Sequence, residues 1–319
     1  MIIKLDKKDR DILKILDENF RTPLSKVAKK VRLSKNSVAL RFDRIKDLIS
    51  HTTTGINNKL LGYTLFKIYY SLDFLDEKTE KELIKEFKKH KNMLYIARLY
   101  GHYNFELAFF IKDIDDFIIQ SEKFNKKFAK KINEKEIQIL IEQFYFRSNF
   151  IYDSPSTKTD HLTIENKKIS LTDIEKKIIS VLRNNSRMNI LDIAAKTRLN
   201  PKTVSTNMHS LEKRKIISGY FVNYDASKLG FSRFKLLLQI DSTKDIKEFE
   251  KYITNIKNAK HISKMLGLWD YEIDVVYKNI IDLQNQIEIL KKKFPNVIKR
   301  LEIINFGQRM ITSSRMFLD

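Results

Sequence analysis

Residues 99–117 read LYGHYNFELAFFIKDIDDF, and 166 positions later residues 265–283 read MLGLWDYEIDVVYKNIIDL. The match sets Gly101 on Gly267, Tyr103 on Trp269, Phe105 on Tyr271 and Glu106 on Glu272. The same offset carries Ile12, Leu16, Arg21, Val27, Ala28, Leu33 and Val38 onto Ile178, Leu182, Arg187, Ile193, Ala194, Leu199 and Val204. Between these blocks KLLGY (59–63) meets SKLGF (227–231) at an offset of 168, so the second copy has two extra residues in one loop. Matches in one order at one spacing mark an internal duplication. The chain is two copies of a unit of about 150 residues.

The copies are joined by DSPSTKTDHLTIENKK (153–168), which is polar, contains Pro155 and lacks periodicity, so it reads as a linker. Each copy has two parts. The first shows three helical patterns. In copy one Ile12, Leu13, Ile15 and Leu16 mark helix one after Asp6 as N-cap, and Leu24, Val27, Ala28 and Val31 mark a short helix two. Helix three begins at Ser34 in copy one and at Asn200 in copy two, where Pro201 fits the first turn. The close spacing of helices two and three predicts a helix-turn-helix. The β-type segments HTTTGIN (51–57) and ISGYFVNY (217–224) follow as wings, expected as short hairpins. The second part of each copy reads strand, helix, strand, strand, helix, strand, the order of a ferredoxin-like fold.

The predicted fold class is α+β: two copies of an N-terminal winged helix-turn-helix followed by a ferredoxin-like βαββαβ domain. The boundaries are residues 1–60, 61–150, a linker over 151–169, then 170–228 and 229–319.

Composition narrows the function. The 319 residues carry a net charge of +21 and no cysteine, which removes disulfides, thiolate metal sites and cysteine nucleophiles. The charge suits a polyanionic partner and is uneven: residues 1–50 hold 14 basic and 7 acidic residues, residues 101–150 hold 8 of each. No apolar run approaches a membrane span, and the charged start MIIKLDKKDRDILKIL is unlike a signal peptide. The expectation is a cytoplasmic protein with no membrane partner. Phosphate-cradling glycine loops, G-x-S-x-G and H-E-x-x-H are absent. The histidines, at 51, 90, 102, 161, 209 and 261, show no metal-ligand spacing. No catalytic residue, metal or cofactor is predicted.

Several blocks resemble the Lrp/AsnC family of transcriptional regulators. They are LDKKDRDILKIL (5–16), LSKNSVALRFDRIKDL (33–48), KLLGY (59–63), LTDIEKKIISVL (171–182), IAAKTRLNPKTVSTNMHSLEKRKIISGY (193–220) and KLGF (228–231), with the turns GHYN (101–104) and GLWD (267–270). The resemblance covers nearly the whole chain outside the linker. It implies DNA-binding heads on domains that dimerise through their sheets, here within one polypeptide, with further homo-oligomerisation through the same domains. It also implies a small-molecule effector, usually an amino acid, near the two turns. The candidate effector residues are Gly101, His102, Tyr103 and Asn104, with Gly267, Leu268, Trp269 and Asp270. Plain packing of the aromatic residues is the alternative. The family's usual EEGVI turn is replaced by KDLISHTTTG (46–55) in copy one. Sirohaem decarboxylases resemble the same architecture, with His102 as the catalytic candidate on that reading, and a weakly specific architectural DNA protein is a third.

Helix three supplies the contacts with double-stranded DNA. With Val38, Phe42 and Ile45 inward, Asn36, Leu40 and Asp43 face out; with Val204, Met208 and Leu211 inward, Lys202, Thr206 and His209 face out. Asn36 suits adenine and Lys202 guanine, while Arg41, Arg44 and Lys46 suit phosphates. The candidate set adds Ser34, Lys35 and Ser37 in copy one, and Thr203, Ser205 and Asn207 in copy two. Arg41 and Arg44 fall on Asn207 and Ser210, so two unlike half-sites are expected.

Overall fold

The computed structural model describes residues 2–90, 92–152, 159–162, 168–183, 185–256 and 258–312. In copy one the helices α1 (Lys7–Glu18), α2 (Leu24–Val31) and α3 (Lys35–Ile45) lead into strand β1 (Ile49–Ile56). Then follow β2 (Thr64–Leu72), α4 (Glu77–Phe87), β3 (Met93–Tyr100), β4 (Phe105–Ile111), α5 (Ile114–Phe128), β5 (Ile132–Phe146) and β6 (Thr159–Leu162). Copy two repeats the plan with α6 (Asp173–Leu182), α7 (Ile190–Thr197), α8 (Pro201–Lys213) and β7 (Ile217–Tyr224). It continues through β8 (Ser232–Ile240), α9 (Lys247–Ile253), β9 (Ala259–Leu266), β10 (Tyr271–Tyr277), α10 (Ile280–Lys293) and β11 (Ile298–Thr312).

The caps sit where the sequence places them. Asp6 caps α1 in a reciprocal capping box with Asp9, Ser34 caps α3, and Asn200 caps α8 with Pro201 in its first turn. Each head's helices close on a core that takes in part of the other copy, Val222 and Tyr224 for the first head and Ile56 and Leu61 for the second, with Val38 and Val204 fully buried. Ile151 and Tyr152, read from sequence as the start of the linker, instead pack into the first head's core. Within the same segment β6 pairs with the end of β5, while residues 153–158 and 163–167 lie outside the described residues.

Strand order within each copy is ferredoxin-like, β5-β2-β4-β3 and β11-β8-β10-β9. The long last strands then cross over. The first half of β5 lies on its own β2, and its second half pairs with β9 of the other copy. β11 does the same between β8 and β3. Eight strands thus close into a ring, which removes the unpaired edges that each sheet would present alone.

Period-two alternation sorts the two faces. On β2, Phe66, Ile68 and Tyr70 point out to a core with Phe87 of α4 and Phe117 and Phe124 of α5. Leu65, Lys67 and Tyr69 point inward.

The wings differ from the expected hairpins. Each head contributes one strand, and β1 pairs antiparallel with β7 of the other head. A lone strand leaves its backbone donors and acceptors unmet, and the partner head satisfies them. Gly55 faces Gly219 in this ribbon, and the Phe221 ring lies against both.

Candidate nucleic-acid interface

The heads are locked together. Arg21 donates to the carbonyls of Ser186 (2.9 Å) and Met188 (2.7 Å), and its repeat equivalent Arg187 donates to those of Phe20 (2.7 Å) and Thr22 (3.2 Å). Arg21 also stacks on Tyr220, and Arg187 on Phe20 and Phe42. With the β1–β7 ribbon, this clamp fixes the two recognition helices, α3 and α8, relative to one another.

The outer faces of both helices are open to solvent. On α3, Ser34, Lys35, Asn36 and Asp43 are exposed, Ser37 is half-buried, and Leu40 is 74% exposed. On α8, Lys202, Ser205, Thr206 and His209 are exposed, while Thr203 and Asn207 are half-buried. The Asn207 amide donates back to the Thr203 carbonyl at 2.8 Å, which turns it along the helix.

Arg41, Arg44 and Lys46 have other partners than phosphate. Arg41 bridges Asp6 (2.6 Å) and the fully buried Asp9 (2.8 Å), Arg44 joins the same Asp9, and Lys46 pairs with Asp43. The Arg41 guanidinium holds the Asp6 carboxyl below its usual range. A buried carboxylate needs a cation, and α3 supplies it. In copy two the equivalent Glu175 takes Arg214 from the far end of α8, which leaves Asn207 and Ser210 neutral. The asymmetry between the two helices is thus partly a matter of how each head neutralises one buried acid.

The two turns pack tightly. Tyr103 and Trp269 are fully buried in the barrel interior. Asn104 accepts from the Leu72 amide (3.0 Å) and donates to its carbonyl (2.7 Å); Asp270 accepts from the Ile240 amide (2.8 Å). His102 is half-exposed against Glu134 at 2.7 Å. The Leu268 amide donates to Glu136 at 2.9 Å. Gly101 lies on the Ile304 backbone, and at Gly267 a Cβ would sit 2.6 Å from the Gln138 amide, so close approach requires glycine there.

Between the sheets lies a charge cluster missed in the sequence. Lys235 reaches Glu106 (2.9 Å), the Tyr69 hydroxyl (3.0 Å) and Glu272 (3.3 Å), while Lys67 bonds Glu272 and lies 3.5 Å from Glu106. Tyr69 donates to Glu272 (2.7 Å) and Tyr95 to Glu106 (2.6 Å). Burial alone raises Glu106, but Lys235 and Lys67 outweigh it and hold the carboxyl at about 2. The overlooked signal was a lysine at one position in two otherwise apolar runs, FKIYY (66–70) and FKLLL (234–238).

A cavity of about 540 Å³ separates the wing ribbon from the barrel. Its lining includes Arg147, Arg183, Lys260 and three histidines, His51, His161 and His261. Burial brings Arg183 down to about 10, and brings His261 down to about 4 against the pull of its Asp274 partner. Asp17 also lines it; burial lifts its carboxyl, against the Ser148 amide that donates at 2.6 Å. These residues are far apart in sequence, and no local pattern joins them.

The AsnC-type helix-turn-helix domain model matches residues 5–46, and the winged helix-turn-helix DNA-binding model matches residues 171–218. The HTH-type transcriptional regulator LrpA of Pyrococcus abyssi is 32% identical over 117 residues, 35% of this chain and 79% of that protein. The chain belongs to the Lrp/AsnC family. LrpA of Pyrococcus horikoshii is 35% identical over 98 residues, 30% of this chain and 66% of that regulator. The crystal structure of the siroheme decarboxylase NirDL aligns with a TM-score of 0.61 at 14% identity, covering 95% of this chain and 91% of that one. At that identity the likeness concerns the fold: this Lrp/AsnC chain shares a duplicated architecture end to end. Among the described residues of this Lrp/AsnC protein, no helix is long and apolar enough to cross a membrane.

Proposed function

We propose that this chain is a sequence-specific regulator that grips duplex DNA with two unlike heads held in one molecule, and that it performs no catalysis. The observation that carries this is the pair of solvent-facing helices α3 and α8, opposite the buried Val38 and Val204, clamped through Arg21 and Arg187. Helix N-terminal residues meet base edges in this mode of docking. Asn36 then reads adenine and Lys202 guanine, while Lys35, Ser34 and Ser205 reach the backbone. Because the copies differ at every outward position, the operator is non-palindromic.

A small-molecule effector, an amino acid in the family's usual manner, is part of this reading, with the turns at Gly101 and Gly267 as its candidate seat. Calorimetry against an amino-acid panel tests that part; silence across the panel leaves the turns to packing. The DNA part is tested by selection from a random duplex pool, followed by binding at rising salt. A site in two unlike halves is expected, with about 10³–10⁵ lost between 50 and 200 mM salt for roughly 6–10 phosphates contacted. A perfect palindrome, or affinity indifferent to salt, overturns the reading.

A second reading, decarboxylation of a tetrapyrrole, is favoured by the end-to-end likeness to NirDL. Its candidate His102 sits on a half-exposed turn paired to Glu134. Product analysis after incubation with sirohaem tests it directly.

A further inference from the structure

The two heads carry their free charge in different places. Residues 19–42 of the first head hold seven basic residues and no acidic one, while the equivalent residues 185–208 hold four and one. Of the seven, Arg21 is taken by the clamp and Arg41 by Asp6 and Asp9. The other five, Lys26, Lys29, Lys30, Arg32 and Lys35, are exposed, and no ion pair or side-chain hydrogen bond holds any of them among the described residues. Spacings of three and four gather Lys26, Lys29 and Lys30 on the face of α2 opposite the buried Val27, Ala28 and Val31. Arg32 lies in the turn that follows, and Lys35 opens α3. In the second head the same places hold Asp192, Ala195, Lys196, Arg198 and Pro201.

Two of these cations stand where local stability asks for something else. Lys26 lies in the first turn of α2, at the positive end of the helix dipole, where a carboxylate is favoured; the second head has Asp192 there. Arg32 ends α2 in the left-handed conformation, at φ 56°, a place that glycine usually takes, and Arg198 does the same after α7. A scaffold role explains neither choice, whereas an outside anion explains both. The outward ridge of α3 itself, Asn36, Leu40 and Asp43, holds no cation, while that of α8 has Lys202. In the first head the charge flanks the recognition ridge; in the second it lies on it.

In helix-turn-helix docking the first helix of the pair crosses the DNA backbone while the second enters the groove. We propose that the outer face of α2 and the turn after it, through Lys26, Lys29, Lys30 and Arg32, bind duplex phosphates and make the first head the anchor of the molecule. The second head has only Lys196 and Arg198 at those places, and it reads the groove through Lys202. This assignment deepens the DNA-binding reading and rests on it.

The test measures affinity of the full chain for a mixed-sequence duplex and for the operator recovered by selection, each over a range of salt. The variants are Lys26→Asp with Lys29→Ala, which installs residues that already fit α7, and Arg32→Gly, which suits the left-handed turn. Both are expected to melt as wild type does. Each lost phosphate contact lowers the salt slope by about 0.9, so the double variant should lose about 1.8 and bind roughly 60-fold more weakly at 0.1 M salt, and Arg32→Gly about 8-fold more weakly. The loss should be equal on the two duplexes, because phosphate contacts carry no sequence information, whereas Lys202→Ala should lose on the operator alone. The control Lys85→Gln, an exposed lysine on α4, should bind as wild type does. An unchanged slope in the folded variants, or a loss confined to the operator, overturns the proposal and leaves DNA binding by the outer helices standing. Melting that falls in step with affinity marks these side chains as structural and overturns it as well. Wild-type affinity indifferent to salt brings down both this assignment and the reading beneath it.

Discussion

Replacing Lys235 by Met tests whether the charge cluster between the sheets holds the two copies together. Lys235 is buried and bridges Glu106 at 2.9 Å and Glu272 at 3.3 Å, with Asp274 at 3.8 Å. Methionine keeps the volume but leaves two buried carboxylates sharing Lys67 alone. Breaking a buried pair from one side costs about 3–5 kcal/mol. For a chain of this size that is a fall in Tm of roughly 5–7 °C. The pH dependence separates this cause from simple mispacking. In the wild type Glu106 is held at about 2 by Lys235 and Lys67 against its burial. Its folded pKa lies below its unfolded one, so its contribution is complete above the ordinary carboxyl range and is lost as pH falls through about 4.5 toward 2. Without Lys235 the balance reverses: burial dominates, and Glu106 takes a proton more readily folded than unfolded. The deficit of Lys235→Met is therefore largest at pH 7 and shrinks by pH 4, read from urea unfolding at both. A loss under about 1 kcal/mol at pH 7, or an equal loss at both pH values, refutes the reasoning.

Four further outcomes follow from the heads and the cavity. Arg187→Ala removes two charge-assisted bonds to the opposite head, about 2–4 kcal/mol together, and should speed amide exchange in β1 and β7 while leaving the barrel strands protected. Arg41→Ala should lower the stability of the first head, because Asp9 loses a partner; Lys202→Ala should leave melting alone and relax base preference at the position it reads, at a cost of about 1–3 kcal/mol in DNA binding. His261 titrates near 4 when folded, because burial opposes its protonation more than Asp274 favours it. Between its unfolded value and about 4 only the unfolded chain takes that proton, so stability falls as pH drops through this window, and His261→Tyr should flatten the fall between pH 6.5 and 5 in urea melts.

Much of the fold is legible because it is local. Helices with a 3.6-residue period and side-chain caps at Asp6, Ser34 and Asn200 carry their own punctuation, and the duplication shows each element twice. What the chain hides is pairing at long range. Nothing local in IQILIEQFYF says that its second half will leave β2 for β9, nor that HTTTGIN will pair with the other head rather than fold back. The same blindness applies to charge. Arg41 and Arg44 look like phosphate ligands on a helical wheel, and only the packed head shows Asp9 beneath them. His51, His161 and His261 look scattered at spacings of 110 and 100 residues, and only the packed ribbon and barrel bring them to one cavity.

Comparison of the two copies then separates what the architecture requires from what has been free to change. Positions that join the halves are the same in both: Arg21 and Arg187 in the clamp, Lys67 and Lys235 with Glu106 and Glu272 between the sheets. Each of these contacts is reciprocal, so a change in one copy alone leaves a buried charge or a clash. Positions that face outward or into the cavity differ: Asn36 against Lys202, Leu40 against Thr206, Asp17 against Arg183, Leu94 against Lys260. A homodimer cannot alter one half of an axial site without altering the other. Fusion removes that constraint, and the recognition helices and the cavity walls both differ between the copies. Unlike recognition helices above and unlike cavity walls below are then two consequences of one event, the joining of the copies into a single chain.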